Sequence, residues 1–396
     1  MIPHPADRLA FDRAMVTQPV WNRLDTAAEA LGLPRNVLLH AGPAFAAPDR
    51  ITMPILNSAC VAAVYEGIAR DFDQAEAMIM AGEIELKPAQ DHDVVTPLAA
   101  VVSASMPLHT VYDAWRGLQR TYAPINEGSR PALRTGVRSV AVLEHLRWLN
   151  TRFRDVLRGG IAEGIALVPL AVAGLIGGDD CHGRTQAATR ALVAELADRM
   201  RAPVADGDVL DFMATSPSLF LNLWMAATKC MMRLAQGIEG SSFVTAAGGN
   251  GRDVGIQVSG LPGRWFTAPA AAPRGRFDVD LRPDRALGAI GDSAVVEAFG
   301  LGAMAIGLSP VQKEALAAYL PDDSQARSAA LSVGWHPYFR ALDVRLGGTA
   351  RGAVASGAGP VVGLGILDRL GEAGRLGAGI YDMPVAPFAR AMEALA

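Results

Sequence analysis

The chain has 396 residues, of which 51% are hydrophobic and 19% charged. That balance excludes a disordered tail protein and fits two or three lobes of ordinary domain size. Lys+Arg 36 against Asp+Glu 40 leaves −4 at pH 7, without the basic excess of a nucleic-acid binder. Gly 41 and Pro 25 supply too many breaks for a helical rod or coiled coil. Cys60, Cys181 and Cys230 form no CxxC pair, so a zinc ribbon or disulfide framework is not expected, nor is any metal site. The uncharged runs 164–178 and 352–367 are shorter than the ~20 apolar residues of a membrane span. A cytoplasmic protein that binds neither membrane nor nucleic acid is the expectation, as a possible homo-oligomer.

In chain order, Trp21, Leu24, Ala28 and Leu31 recur at helical spacing, and Leu33-Pro34 stops the pattern. Residues 36–39 read as a short strand ending at His40-Ala41-Gly42-Pro43, and 59–68 as a helix. The Val/Ser/Thr-rich run 99–111 favours a strand pair interrupted at Met106-Pro107. From Ser139 the period changes: Val142, Leu146, Leu149, Phe153 and Leu157 form an amphipathic stripe that Gly159-Gly160 ends. Residues 185–200 repeat the pattern, and 220–234 are apolar nearly all round, which predicts a buried helix. Beyond 237 the period switches to two: 242–245, a glycine loop, 254–258 and 265–267 read as a meander. Ser309-Pro310-Val311-Gln312 is a helix start, closed by Pro321. A glycine-studded segment, 347–379, precedes a C-terminal helix with Val385, Phe388, Met392 and Leu395 inward. Helical and strand signals come in blocks, which predicts a multi-lobed α+β fold with mixed sheets and a mostly helical middle lobe. The lobes are expected at 1–138, 139–236 and 237–396.

Three segments carry candidate chemistry. In Gly177-Gly178-Asp179-Asp180-Cys181-His182-Gly183-Arg184-Thr185, a cysteine at a helix start has a lowered pKa, so Cys181 and His182 form a candidate nucleophile and base. Arg184 could hold a carboxylate or phosphate. The bland alternative is a capping turn with a buried cysteine and two solvated aspartates. In Ile125-Asn126-Glu127-Gly128, Asn126 and Glu127 can face a ligand, with Arg130, Arg134 and Arg138 suited to an anion; the alternative is an ordinary turn before a solvated helix. In Gly248-Gly249-Asn250-Gly251-Arg252-Asp253, Asn-Gly signals a tight hairpin, and its amides could also cradle an anion. Hairpin turn is the favoured local reading there. Neither HExxH, GxSxG nor a phosphate loop occurs.

Blocks from one end to the other resemble the YlbE-like and YahG-like bacterial family. They are LLHAGP (38–43), YEGIA (65–69), SASMP (103–107), INEG (125–128), VLEHLRWLN (142–150), GGDDCHGRT (177–185), GIEGSSFVT (237–245), the stretch 250–269, IGDSAVVEAFGLGAMA (290–305) and GAGI (377–380). The resemblance implies an α+β architecture and a subunit of a heteromeric oxamate carbamoyltransferase. Such a complex phosphorolyses the ureide oxalurate to oxamate and carbamoyl phosphate. Implied partners are an FdrA-like subunit related to acyl-CoA synthetases and a further small subunit, with a carbamate kinase downstream. No cofactor is implied, phosphate or carbamoyl phosphate being a substrate. On that reading Cys181, His182 and Glu127 are catalytic, and Asn126, Arg184, Asn250, Gly251, Asp253 and Arg264 bind substrate. Asp179, Glu239, Trp265 and Asp292 stand behind them. The chain departs from the family pattern at residues 88–100, where a histidine-rich stretch is missing, and at Gly249, where an arginine is common. The open alternatives are a non-catalytic scaffold and a stand-alone cysteine-dependent amidohydrolase.

Overall fold

A computed structural model describes residues 3–117, 119–128, 131–200, 207–216, 218–278 and 283–396. Arg130 lies outside the described residues. The fold is α+β with several separate sheets, as the blockwise pattern predicts. One antiparallel sheet runs in the order Arg120–Pro124, Pro107–Asp113, Pro19–Thr26, Ile165–Ala166. A second, mixed sheet places Val37–His40 between Glu85–Pro88, parallel to it, and Val101–Val102, antiparallel. The third is the meander Leu261–Pro269, Asp253–Val258, Val244–Asn250, extended by Ile290–Gly291. The fourth sets Arg375–Asp382 between Arg274–Phe277 and Val361–Leu367.

Helix Leu219–Leu234 is the hub. All but two of its residues are buried, Trp224 and Lys229 completely. It packs on Pro107–Asp113 and Arg120–Pro124 of the first sheet and on Val244–Asn250 of the third. Its buried lysine is held by its surroundings: Lys229 Nζ donates to Thr245 O at 3.0 Å and to Gln90 Oε1 at 3.4 Å. The largest apolar cluster draws on all three expected lobes, from Ala10 and Trp21 through Phe153 and Trp224 to Phe299 and Phe388. Among the described residues, no helix is long and apolar enough to cross a membrane.

Two local readings are corrected. Residues 19–26 form a strand and only Ala27–Leu31 is helical, whereas the first helix is Pro5–Met15. The pairing with Pro107–Asp113 shifts register between Trp21 and Arg23, so a bulge at Asn22 brings Trp21 and Leu24 to the same buried side. A bulged strand thus imitates the three-residue step of a helix. Gly248 and Gly249 are strand residues, not loop: they pair with Gly255 and Val254. The helix after Ser309 forms, over Pro310–Leu316, but the Ser309 hydroxyl donates to Gly178 O at 2.7 Å instead of capping it.

Candidate functional site

A cleft of about 510 Å³ lies where several parts of the chain meet. Pro97 and Leu98 line it from the loop after Val94, and Gly128, Arg134 and Thr135 from the segment before helix Val140–Trp148. His182 and Gly183 come from the 177–185 turn, and Ser293 from the turn after Ile290–Gly291. Gly363, Leu364, Gly365, Arg375, Ala378 and Gly379 of the fourth sheet complete it, with Gln312, Ser218 and Leu221.

The 177–185 turn is built to present His182. Asp180 Oδ1 accepts His182 N at 2.8 Å and Arg184 N at 2.9 Å, while Arg184 O accepts the amides of Asp180 and Cys181. Asp179 Oδ2 accepts Ala188 N at 2.9 Å and so ties the turn to helix Gln186–Arg199. Cys181 adopts φ +65°, an uncommon conformation for a residue with a Cβ, and the chain reverses there. The His182 ring is then held by a buried carboxylate: Nδ1 lies 2.6 Å from Glu297 Oε1. That oxygen also accepts Ala303 N at 3.1 Å and Gly363 N at 3.2 Å. Burial opposes charge on His182, but the Glu297 carboxylate, by charge and hydrogen bond, outweighs it and raises the imidazole pKa, with Asp180 adding to it. Gly302 makes the pair possible. At φ +59° it leaves room where a Cβ would stand 2.2 Å from Glu297 Oε1 and 2.9 Å from His182 Cβ.

Arg134 is the fixed cation of the cleft. Its guanidinium donates to Asn126 O and Gly128 O, so its orientation is set by backbone. Burial lowers its pKa while the charge of Glu127 works the other way. Arg375 is looser. Its side chain is 49% exposed, and Nη1 lies 3.5 Å from Asp278 Oδ2. Behind the cleft, Asp292 is fully buried and collects four donors: Gly42 N, Gln90 Nε2, and the amide and hydroxyl of Thr96. Burial pushes its pKa up to about 6, against those bonds. A cleft with one oriented cation, one exposed and loosely paired cation and a buried imidazole–carboxylate pair can bind a small anion and hand it a proton.

Similarity to known proteins places the chain in a family. The model of the family described as oxamate carbamoyltransferase subunit AllG matches residues 84–293. The oxamate carbamoyltransferase subunit AllG of Escherichia coli strain K12 is 33% identical over 91% of this chain and 89% of its own length. The chain belongs to the AllG family. An uncharacterized protein, YahG, of the same organism is 30% identical over 98% of this chain and 84% of its own. A crystal structure of a conserved protein of unknown function from Enterococcus faecalis V583 has TM-score 0.92 and 26% identity, over 98% of this chain and 96% of that one. The resemblance read from the sequence blocks is therefore the family the chain belongs to.

In this AllG-family chain the candidate residues divide. His182 lines the cleft, and Asn126 and Glu127 lie one layer behind Gly128 and Arg134. Glu127 is 1% exposed; it bonds His109 Nε2 and Asn222 Nδ2, both at 3.0 Å, and is not among the cleft-lining residues. Cys181 is fully buried with Sγ directed at Ala171 O, 3.6 Å away. Burial, with Asp180 and Asp179 adding to it, drives its pKa well up, so the expected thiolate does not form. The two aspartates of that turn are buried, not solvated. Arg184 is turned to Asp179, Nε to Oδ1 3.6 Å, and does not line the cleft.

Asn250, Gly251, Asp253 and Arg264 are elsewhere too. Asn250 Oδ1 accepts the amides of Arg252 and Asp253, and Nδ2 donates to Pro43 O at 2.8 Å. With Gly251 at φ +85° this is the hairpin turn that the local pattern favours. Arg264 lies over the Phe266 ring at 4.9 Å. Glu297, Arg375 and Leu98 were not singled out from the sequence. One signal for Glu297 exists: it is the lone acid in the apolar run Val295-Val296-Glu297-Ala298-Phe299, and such an acid needs a buried partner.

Proposed function

We propose that this chain is a subunit of a carbamoyltransferase-type complex and that its cleft takes a ureide such as oxalurate for phosphorolysis. The observation that carries the reading is the His182–Glu297 pair sharing one cleft with Arg134 and Arg375, in a chain with a carbamoyltransferase subunit among its relatives. Both substrates are anions, so their approach needs fixed positive charge. Arg134, held by backbone carbonyls, orients one anion, and Arg375 captures the other. A phosphate oxygen attacks the carbamoyl carbon, and the C–N bond to the amide nitrogen then breaks. His182 protonates that nitrogen, so oxamate leaves neutral at its amide. Nδ1 is engaged by Glu297, which leaves Nε2 as the ring nitrogen that delivers the proton. No cofactor enters this scheme. An FdrA-like subunit and a further small subunit are the proposed partners, in the cytoplasm.

The test is carbamoyl phosphate formation from oxalurate and phosphate by the chain co-purified with those partners. His182→Ala is expected to lower kcat by at least about a hundredfold. Arg134→Gln should raise KM tenfold or more, with a smaller effect on kcat. Full activity in both variants would leave the chain a scaffold. Hydrolysis by the isolated chain, abolished by Cys181→Ser, would instead support the amidohydrolase reading.

A further inference from the structure

Leu98 holds a conformation that its own side chain disfavours. Its φ is +48°, in the left-handed region that branched side chains seldom enter. It is pinned on both sides. Thr96 N and Oγ1 each donate to Asp292 Oδ2 at 3.0 Å, and Ala99 N donates to the carbonyl oxygen of Arg134 at 3.1 Å. The loop that carries Leu98 is thus fastened to the buried Asp292 and to the backbone of the fixed cation. Bare backbone makes room for the residue. A Cβ at Gly291 would stand 2.9 Å from Leu98 N, and one at Gly365 would touch Leu98 Cδ1 at 3.4 Å and Arg375 Nε at 3.6 Å.

Gly365 is one end of an unadorned strip. Gly363 lies two residues earlier on the strand Val361–Leu367 and faces the same way, with its amide on Glu297 Oε1 at 3.2 Å. Two residues of strand span roughly 7 Å. On the face that the two glycines share, the strand adds no side chain of its own, from the His182–Glu297 pair at one end to Arg375 and Leu98 at the other. In a ureide with a two-carbon acyl arm, the carbamoyl carbon and the carboxylate carbon flank one planar amide. They stand about 3.8 Å apart, like neighbouring Cα atoms across a trans peptide. Such a molecule fits the strip with a hydrogen-bonding oxygen at either end. An arm longer by two methylenes drives its carboxylate into the Leu98 side chain.

We propose that Leu98 is the specificity-determining residue for acyl-arm length, stopping the substrate's carboxylate beside Arg375 so that the cleft accepts short planar amide acids and rejects longer ones. The proposal rests on the carbamoyl-transfer reading of the cleft. Oxamate, malonamate and succinamate are the probes, titrated calorimetrically into the full chain co-purified with its partner subunits. The parent should bind oxamate at least about tenfold more tightly than succinamate, and Leu98→Ala and Leu98→Gly should narrow that ratio to within about threefold. Leu98→Gly relieves the left-handed backbone and so offsets part of the core packing that either truncation removes; urea unfolding of both variants identifies the folded one on which the ratio is read. If oxamate binds but both folded variants keep the parent's ratio, the assignment of Leu98 is overturned and the reading of the cleft survives. If the parent binds none of the three acids, both fall.

Discussion

The substitution Glu297→Gln keeps the shape of the pair with His182 and removes its charge. The amide oxygen can still accept the three bonds now made to Oε1, from His182 Nδ1 and the amides of Ala303 and Gly363. What changes is the environment of the imidazole. Two other histidines of the chain show what burial does without a carboxylate: His40 and His336 are both driven down from 6.5 to about 4. Without Glu297 the His182 pKa should fall from above its ordinary value towards that range, with Asp180 alone opposing the fall. The interval from 6.5 to 4 corresponds to up to about 3 kcal/mol, at about 1.4 kcal/mol per pH unit. The sign follows from linkage. A histidine whose folded pKa is raised contributes stability that is fully present below its unfolded value near 6.5 and is lost as pH rises through the folded value. The parent's advantage over Glu297→Gln should therefore be largest at the acid end of the range, near pH 5, and shrink in alkali. Urea unfolding from pH 5 to 9, together with NMR titration of ring-labelled histidine, measures both quantities. Catalysis by a protonated His182 should likewise retreat to lower pH in the variant. A His182 ring that titrates at the same pH in both proteins, or a stability difference independent of pH, would refute the electrostatic reasoning.

Gly302→Ala places a Cβ against Glu297 Oε1 and His182 in a left-handed backbone, and should cost roughly 1–3 kcal/mol in denaturant unfolding while lowering activity. Asp292→Asn turns one oxygen, now an acceptor of two bonds, into a donor facing donors, for a loss of about 2–4 kcal/mol at pH 7. The raised pKa of Asp292, about 6, gives the parent a stability term that is present at low pH and lost as pH rises through 6; the Asn variant should lack that slope. Cys181→Ser should leave carbamoyl transfer within about threefold of the parent, because the buried thiol is kept from ionising; a loss above a hundredfold in a folded variant would reinstate it as a nucleophile.

Patterns confined to one element were legible in the sequence. Helix Gln186–Arg199, the buried helix Leu219–Leu234 and the Asn250-Gly251 hairpin all follow from spacing and turn chemistry within a few residues. The bulge at Asn22 was not, because it depends on what the neighbouring strand does. The cleft was half legible for a similar reason. His182 and Arg134 stand in polar turns that draw attention, whereas Arg375 opens an ordinary strand and Glu297 sits within an apolar helix. Only the pairing of Val361–Leu367 with Arg375–Asp382, and the approach of residues 96–98 to Asp292, brings them together. A hydrogen-bonding residue in a glycine turn has the same sequence signature whether it faces a ligand or its own backbone, and Asn250 spends its amide on its own hairpin and on Pro43.

The charge of the chain has a local counterpart in the cleft. A protein at −4 draws no anion by its whole surface, so any attraction must come from the site itself. Each cation there has a carboxylate on its protein side: Glu127 acts on Arg134, Glu297 on His182 and Asp278 on Arg375. The three pairings are not equivalent. Glu127 and Glu297 are buried, and neither can leave without exposing a charge to an apolar core. Arg375 and Asp278 are 49% and 40% exposed at 3.5 Å, a contact worth little in water. On the proposed reading, an incoming carboxylate or phosphate displaces Asp278 at small cost and takes Arg375 as its partner, beside the fixed Arg134 and His182. On that reading, capture falls to the exposed cation and geometry to the two that buried carboxylates and backbone hold.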